Sequence, residues 1–319
     1  MKKLIAIVGP TASGKSALAV ALAKRINGEV ISCDSMQIYK HLDIGTAKPA
    51  ENEKEGVIHH MLDIVDPAVT DSYSCAEFVS DARRIIDDVL SRGSIPILCG
   101  GTGLYIDNIT SSTEFSDADT DLEYRESLFE LAREKGNEYI YSILEEIDPE
   151  SAAATHPNNL KRVIRALEIF HATGVKKSEW DKRSHEKESE YDTVYFGLNF
   201  NSREKLYERI DRRVDIMMED GLLNEVRNLL DKNILRKGTT AAQAIGYKEI
   251  IEYIDGKATL EEAVDKVKRE SRRYAKRQLT WFKRNEKILW LYPDECAEFK
   301  IIVNNALKHL TGLGFCDIM

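Results

Sequence analysis

The stretch Gly9-Pro10-Thr11-Ala12-Ser13-Gly14-Lys15-Ser16 follows the apolar run Leu4–Val8 and leads into a segment rich in alanine and leucine. It fits the P-loop pattern, in which a strand ends in a glycine-rich turn and a helix begins at the Lys-Ser pair. Glycines allow several backbone N–H groups to converge on one anion, and the positive end of the helix dipole points to the same place. Lys15 adds a positive charge and Ser16 a hydroxyl suited to Mg²⁺. The stretch predicts a binding site for a di- or triphosphate.

Short apolar runs continue along the chain and alternate with helical patterns. Continuous apolar runs of this length are typical of buried parallel strands. The predicted strands are Leu4–Val8, Glu29–Cys33, His59–Ile64, Ser94–Cys99, Thr193–Leu198 and Ile288–Leu291. The pattern predicts an α/β fold, with a parallel sheet of the P-loop NTPase type flanked by helices.

Between residues 116 and 189 the alternation stops and helical patterns remain. The predicted helices there are Leu122–Lys135, Glu138–Ile147 and Asn159–Ala172. We therefore expect a core domain made of residues 1–115 and 190–319, and a helical insertion domain of residues 116–189. The third of these helices carries Lys161, Arg162 and Arg165, which form either a binding face or an ordinary solvated surface.

Charge and composition narrow the class of protein. The chain has 319 residues, and its net charge of −9 argues against indiscriminate nucleic-acid binding. The segment from Lys268 to Arg284 is nevertheless strongly basic and contains a single acid, Glu270. Five scattered cysteines without a C-x-x-C pair indicate neither a disulfide framework nor a zinc site. No apolar stretch approaches the roughly 20 residues that span a membrane, so we expect a cytoplasmic protein without a membrane partner.

Two further sites are expected beside the P-loop. Asp34 follows the second predicted strand, and Gly100-Gly101-Thr102 ends the fourth. The carboxyl ends of parallel strands face one ligand crevice, so Asp34 and Thr102 should lie near the phosphate site. An NTP-hydrolysing P-loop protein commonly has a Mg²⁺-binding acid at such a strand end. Glycine and threonine in that place argue against an ATPase.

Several stretches together resemble the tRNA dimethylallyltransferase family, whose members prenylate an adenine next to the anticodon. They occur in one order along nearly the whole chain. The stretches are GPTASGKS (Gly9–Ser16), ISCDSMQIY (Ile31–Tyr39), DIGTAKP (Asp43–Pro49), HHMLDI (His59–Ile64), CGGTGLY (Cys99–Tyr105), HPNNLKRVIRALE (His156–Glu168), LYERIDRRVDIMMEDGLLNEV (Leu206–Val226), QAIGYKE (Gln243–Glu249) and YAKRQLTWFKR (Tyr274–Arg284).

The resemblance implies a reaction and a set of site residues. It implies that Gly9 to Ser16 and Arg213 bind the diphosphate of dimethylallyl diphosphate, with Mg²⁺ held through Ser16. The acceptor is N6 of the adenine at position 37 of tRNA, a poor nucleophile because its lone pair is delocalised. Asp34 matches the family's general base, and Thr102 matches the threonine that helps to hold the reacting adenine.

The resemblance also implies contacts with the anticodon stem-loop. Reaching N6 in a stacked loop requires the base to be extruded. The matching residues are Ser35, Met36, Gln37, Arg125, Lys161, Arg162, Arg165, Gln243, Gly246 and Lys248. The zinc finger of eukaryotic relatives has no counterpart here, which favours a bacterial-type enzyme, expected to act as a monomer.

Three alternatives are weighed against this interpretation. A P-loop small-molecule kinase has no use for a basic helical insertion. A non-enzymatic RNA-binding module leaves the P-loop unexplained. An adenylate isopentenyltransferase that modifies free nucleotides shares the chemistry, and charge alone does not exclude it.

Overall fold

The sheet organises the larger part of the protein in the computed structural model, which describes residues 1–111, 121–186 and 189–315. Within those ranges six strands form one sheet in the order β3-β2-β4-β1-β5-β6, and every pairing is parallel. The strands are β1 (Lys2–Val8), β2 (Gly28–Ser32), β3 (His59–His60), β4 (Ile95–Gly100), β5 (Tyr191–Leu198) and β6 (Ile288–Leu291). The predicted α/β class with a parallel sheet is confirmed.

Helices cover the sheet and build a second, helical unit. They are α1 (Lys15–Ile26), α2 (Glu51–Lys54), α3 (Cys75–Ser91), α4 (Gly103–Thr110), α5 (Leu122–Lys135), α6 (Asn137–Ile147), α7 (Pro149–Ala153), α8 (Leu160–Thr173), α9 (Lys177–Glu186), α10 (Arg203–Glu219), α11 (Leu222–Asp231), α12 (Tyr247–Ile254), α13 (Leu260–Phe282) and α14 (Phe299–Gly312). None of the helices in the described ranges is both long and apolar enough to cross a bilayer.

The core forms where apolar strand faces meet amphipathic helices. Ile5 and Ile7 of β1 are fully buried in one cluster with Leu18 and Leu22 of α1. The same cluster includes Ile302 of α14, a helix that the strand pattern did not predict. Burying such side chains contributes about 1.5–3 kcal/mol each. Packing on both faces of the sheet explains why its strands are continuous apolar runs.

The third predicted strand, His59–Ile64, is wrong over most of its length. Only His59–His60 pairs with β2. Met61 and Asp63 have φ of 62° and 56°, a left-handed conformation that ends the extended backbone. Strand pairing resumes only as one isolated bridge, between Tyr39 and Val65.

The chain divides into two compact units. One comprises Met1–Thr110 together with the chain from Tyr191 onward, and the other lies within Ser111–Glu190. The predicted boundary between residues 115 and 116 lies outside the described residues. In the second unit, Leu128 of α5, Ile140 and Leu144 of α6 and Val163 and Leu167 of α8 share a buried core. That unit therefore has its own hydrophobic core.

The cysteines in the described ranges are free thiols and form no disulfide. Cys33, Cys75, Cys99 and Cys296 are unpaired, and Cys33 and Cys99 are buried in the sheet. The fifth cysteine, Cys316, lies outside the described residues. These thiols occupy the sheet and its flanks as small side chains.

Candidate active site

The P-loop joins β1 to α1 through two glycines with distinct tasks. A Cβ on Gly9 would lie 2.3 Å from the carbonyl oxygen of Leu198 in β5, so only glycine fits there. Gly14 has φ of 99° and precedes α1 without a side-chain cap. The N–H groups of Lys15, Ser16 and Ala17 lie in the first turn of α1, where helix geometry supplies no carbonyl partner. These amides are available to an anion.

Two side chains of the loop add to this cradle. Lys15 Nζ donates to the Pro10 carbonyl oxygen over 2.6 Å. Burial lowers the pKa of Lys15 to about 8, and the charge of Arg213 acts in the same direction. The buried hydroxyl of Ser13 has no hydrogen-bond partner within the described chain. A buried polar group of this kind is typical of a site that binds a ligand.

Helix α10 supplies cations to the loop. Arg213 donates to Thr11 Oγ1 over 3.2 Å, and Arg209 donates to the Ala12 carbonyl oxygen over 2.9 Å. Burial lowers the pKa of Arg213, while the charges of Asp34 and Glu53 oppose that change. The loop, α1, α10 and α14 enclose a cleft of about 1030 Å³. Its basic lining residues are Lys15, Lys24, Arg25, Arg209, Arg212, Arg213 and Lys300.

Asp34 lies just beyond β2 and is fixed through one of its oxygens. Its Oδ1 accepts from the N–H of Met36 over 2.9 Å and from the N–H of Gln37 over 3.3 Å. Asp34 Oδ2 has no hydrogen-bond partner among the residues described. One oxygen thus sets the orientation of the carboxylate, and the other is available to a ligand.

Thr102 is held beside Asp34 by backbone contacts. Its N–H donates to the Cys33 carbonyl oxygen, and its Oγ1 accepts from the N–H of Ser35, both over 3.1 Å. β2 and β4 are neighbours in the sheet, so their ends meet at one edge. The structure therefore brings Asp34 and Thr102 together next to the P-loop.

The glycines around Thr102 reflect close packing. A Cβ on Gly100 would lie 2.1 Å from the carbonyl oxygen of Cys33. A Cβ on Gly101 would lie 1.9 Å from Gln278 Nε2, and one on Gly103 would lie 2.2 Å from the Trp281 ring. Helix α13 thus leaves no room for a side chain at Gly101 or Gly103.

Helix α13 contributes site residues that the sequence analysis did not single out. Gln278 is buried and bonds to both Thr11 and Gly101. Burial and the charge of Asp34 raise the pKa of Tyr274 to about 12, although hydrogen bonds to Thr102 and Gln278 oppose this. Tyr274, Gln278 and Trp281 are spaced i, i+4 and i+7 in the quoted stretch Tyr274–Arg284, so one helix face was detectable from sequence.

A second cavity of about 260 Å³ lies on the Asp34 side. Arg213 and Ala47 line both it and the larger cleft. The remaining lining residues are Thr11, Asp34, Ser35, Met36, Gly45, Thr46, Ile210, Val214, Met217, Gln243, Ala244, Ile245, Val267, Ser271, Tyr274 and Arg277. The cavity has an apolar wall from Ile210, Val214 and Met217 of α10 and a polar wall from the Asp34 turn.

Comparison with known proteins decides the family. The profile of the IPP transferase family matches residues 37–285. The tRNA dimethylallyltransferase of Caldanaerobacter subterraneus is 49% identical over 311 residues, which cover 97% of this chain and 98% of that protein. The chain belongs to the IPP transferase family.

Solved structures agree with this assignment. The tRNA isopentenylpyrophosphate transferase from Bacillus halodurans is 45% identical with a TM-score of 0.73, covering 98% of this chain and 96% of that one. A eukaryotic dimethylallyltransferase acting on tRNA is 31% identical with a TM-score of 0.85, covering 100% of this chain and 81% of that one. These comparisons do not favour a kinase or an enzyme of free nucleotides.

The turn after Asp34 and the loop 43–48 form one wall of the cavity. Gln37 Nε2 donates to the carbonyl oxygens of Thr46 and Ala47, and its Oε1 accepts from Ser32. Glu225 of α11 accepts from the N–H groups of Asp43, Ile44 and Gly45 and from the Tyr247 hydroxyl. The Gln37 amide is thus engaged within the protein, whereas Ser35 and Met36 line the cavity.

The turn before α12 carries the other residues matched to RNA contacts in this unit. Gln243 is exposed and lines the cavity, and Lys248 is exposed on α12. Gly246 is buried, and its N–H donates to Glu249. Gln243 and Lys248 are therefore accessible to RNA, whereas Gly246 is buried and its N–H is engaged within the protein.

The cations of the helical unit differ in their partners. Lys161 and Arg162 are exposed at the start of α8, whose N-cap Asn159 makes no side-chain cap bond. Arg125 makes two hydrogen bonds to the buried carboxylate of Glu168, and Arg165 lies 3.5 Å from the same group. Lys161 and Arg162 are exposed and make no ion pair with any residue that the structure describes, whereas Arg125 is already paired.

The basic segment Lys268–Arg284 is partly used for packing. Lys268 pairs with Asp215 and Arg272 with Asp211, so both tie α13 to α10. Further along, Lys276, Arg277, Lys283 and Arg284 are exposed. Among the described residues, the exposed cations of this segment without an ion pair thus lie toward and just beyond the end of α13.

Proposed function

We propose that this chain transfers the dimethylallyl group of dimethylallyl diphosphate to N6 of the adenine next to the anticodon of tRNA. One observation carries the proposal: Arg213 lies in the wall shared by the P-loop cleft and the Asp34 cavity. The cleft offers cations and free amides to a diphosphate. The cavity offers a carboxylate and an apolar wall to a base. Family membership supports this pairing.

The leaving group is the diphosphate, and the basic side chains that line the cleft complement its negative charge. The first-turn amides of α1, the Ser13 hydroxyl, Lys15 and Arg213 stabilise the negative charge that develops as the C1–O bond breaks. Ser16 is exposed at the head of α1, beside this cradle. In the described ranges no group of three or more His, Cys, Asp or Glu side chains is arranged so that it could hold a metal ion.

A single hydroxyl ligand is compatible with Mg²⁺, since this ion keeps several waters and takes its other ligands from phosphate oxygens. We propose Ser16 as that protein ligand. When bound, Mg²⁺ would neutralise part of the diphosphate charge.

The nucleophile is the adenine amino group. As the bond from N6 to C1 forms, the C1–O electron pair leaves with the diphosphate and the N6 proton passes to Asp34 Oδ2. The Thr102 hydroxyl, which accepts from Ser35, can direct its own proton toward the adenine. Tyr274, which is hydrogen-bonded to Thr102 and Gln278, lines the same cavity. All these groups come from one chain, and we propose that it acts as a monomer.

The RNA side rests on exposed cations. Lys161, Arg162, Lys248 and the end of α13 would contact phosphates and confer salt-dependent affinity. Ser35, Met36 and Gln243, at the cavity, would meet the extruded adenine and its neighbours.

A transfer assay with radiolabelled dimethylallyl diphosphate and Mg²⁺ tests the proposal. The protein should label an anticodon stem-loop with adjacent adenines and leave AMP unlabelled. Label in AMP and none in the stem-loop would establish the free-nucleotide alternative instead.

A further inference from the structure

Gln278 joins the two halves of the site through one buried side chain. It lies on α13 and is 4% exposed. Its Oε1 accepts from the N–H of Thr11 in the P-loop over 2.9 Å. Its Nε2 donates to the carbonyl oxygen of Gly101, after β4, over 3.1 Å. One amide therefore bridges the turn that follows β1 and the turn that follows β4.

Both contacts depend on the polarity of a primary amide. The Thr11 N–H requires an acceptor, and the Gly101 carbonyl oxygen requires a donor. Glutamine supplies both from one rigid planar group. Gly101 also lacks space for a side chain, because its Cβ would lie 1.9 Å from Gln278 Nε2. The two hydrogen bonds therefore require a primary amide at position 278, and the close contact requires glycine at position 101.

Each residue that Gln278 contacts is linked in turn to a residue of the proposed reaction site. Thr11 accepts from Arg213 through Oγ1, on the diphosphate side. Gly101 precedes Thr102, whose Oγ1 accepts from the N–H next to Asp34. The bridge therefore runs from the cation that faces the leaving group to the carboxylate that faces the nucleophile.

We propose that Gln278 is a positioning residue that sets the separation and alignment of the diphosphate loop and the Asp34–Thr102 pair. This inference rests on the function proposed above. In-line displacement at C1 requires N6 and the leaving oxygen to be held on opposite sides of one carbon. A misplacement of about 1 Å can lower such a rate about 100-fold. Gln278 touches no reactant and acts through the two turns.

The test compares Q278E and Q278M in single-turnover transfer to the stem-loop between pH 6 and 8.5. Ionised, the carboxylate of Q278E opposes the Gly101 carbonyl oxygen; protonated, it reproduces the donor and acceptor of glutamine. Burial and that carbonyl raise the pKa of the new carboxyl group. Q278M preserves the approximate volume but supplies neither hydrogen bond.

We expect both variants to be slowed about 100-fold at pH 8.5, with stem-loop affinity within about threefold of the wild type. As the pH falls, the rate of Q278E relative to wild type should recover at least tenfold, while Q278M stays slow. Lys15, Arg213, Arg277, Tyr274 and Asp34 are the charged or titratable groups around the bridge. They are present in every protein compared, and Q278M, which adds no charge, shows how their own titration affects a slowed variant.

Circular dichroism at each pH ensures that equal folded fractions are compared. A Q278E ratio that does not change with pH at a constant folded fraction would overturn the inference. Wild-type rates in both variants would overturn it as well. If the wild type itself does not label the stem-loop, the proposed function fails, a result distinct from either of these.

Discussion

The turn after β1 and the turn after β4 are both glycine-rich, yet Gly14 in the first and Gly101 and Gly103 in the second have opposite roles. In the P-loop, Gly14 allows the left-handed turn that leaves the first amides of α1 open to a large cleft. After β4, Gly101 and Gly103 lie against Gln278 and Trp281 of α13. The first turn is open for an anion, and the second is closed by a helix.

The two turns therefore suit different parts of the proposed reaction: departure of the diphosphate and attack by the adenine. The open turn gathers positive charge and suits a departing diphosphate. At the closed turn, hydrogen bonds within the protein fix Thr102 and Asp34. Substitutions on the two sides should therefore affect different steps of the reaction.

The largest effect is expected on the closed side. D34N keeps an oxygen for the Met36 and Gln37 amides but cannot accept the N6 proton. The single-turnover rate should fall about 1,000-fold. Stem-loop affinity, measured by filter binding, should remain unchanged. If D34N lowers the stem-loop affinity but leaves the single-turnover rate at saturating RNA unchanged, Asp34 is a binding residue rather than the base.

On the open side, K15A should lower kcat/KM for dimethylallyl diphosphate about 100-fold, because one cation of the cradle is lost. The pKa of Lys15 of about 8 adds a pH signature. Lysine is charged below its pKa, so the KM of the wild type should rise as the pH increases above 8. K15R, which stays charged, should remove this rise. A pH-independent wild-type KM would show that Lys15 does not bind the diphosphate.

Packing at the closed turn is expected to contribute to stability. G103A places a Cβ 2.2 Å from the Trp281 ring and should lower the free energy of unfolding by about 1–3 kcal/mol. Gly312, near the end of α14, has nothing within 4 Å of its Cβ position and is the matched control. G312A should not destabilise the protein. Urea titrations of both variants provide the comparison, and equal stability would contradict the close packing.

The smallest effects concern the cations of the helical unit. R162A should weaken stem-loop binding and reduce the salt slope by about 1. R125A instead leaves Glu168 with Arg165 alone and should destabilise the unit by about 1–2 kcal/mol. Stem-loop binding at several salt concentrations and thermal unfolding, measured for both variants, distinguish a loss of phosphate contact from a loss of stability. A lower salt slope in R125A with unchanged stability would show that Arg125 contacts phosphate directly.

Local patterns could predict the P-loop, the alternation of strands and helices, and the strand Ile288–Leu291. They placed Asp34 and Thr102 at strand ends, and the parallel order brings those ends together. They failed at Met61 and Asp63, because the local pattern of side chains does not reveal left-handed backbone.

Long-range partners were not predictable in the same way. The pairing of Arg125 with Glu168 joins two helices 43 positions apart in sequence. Gln278 contacts a loop 267 positions earlier. Both contacts depend on how helices and loops pack in the folded protein. The local periodicity of the sequence carries no information about that packing.

The affinity of D34N for inorganic diphosphate with Mg²⁺, measured by calorimetry, tests the division of the site most directly. If the cleft binds the diphosphate and Asp34 serves only the adenine, the Kd should agree with that of the wild type within about twofold. A tenfold or greater loss of affinity would show that Asp34 belongs to the diphosphate site and would contradict the account.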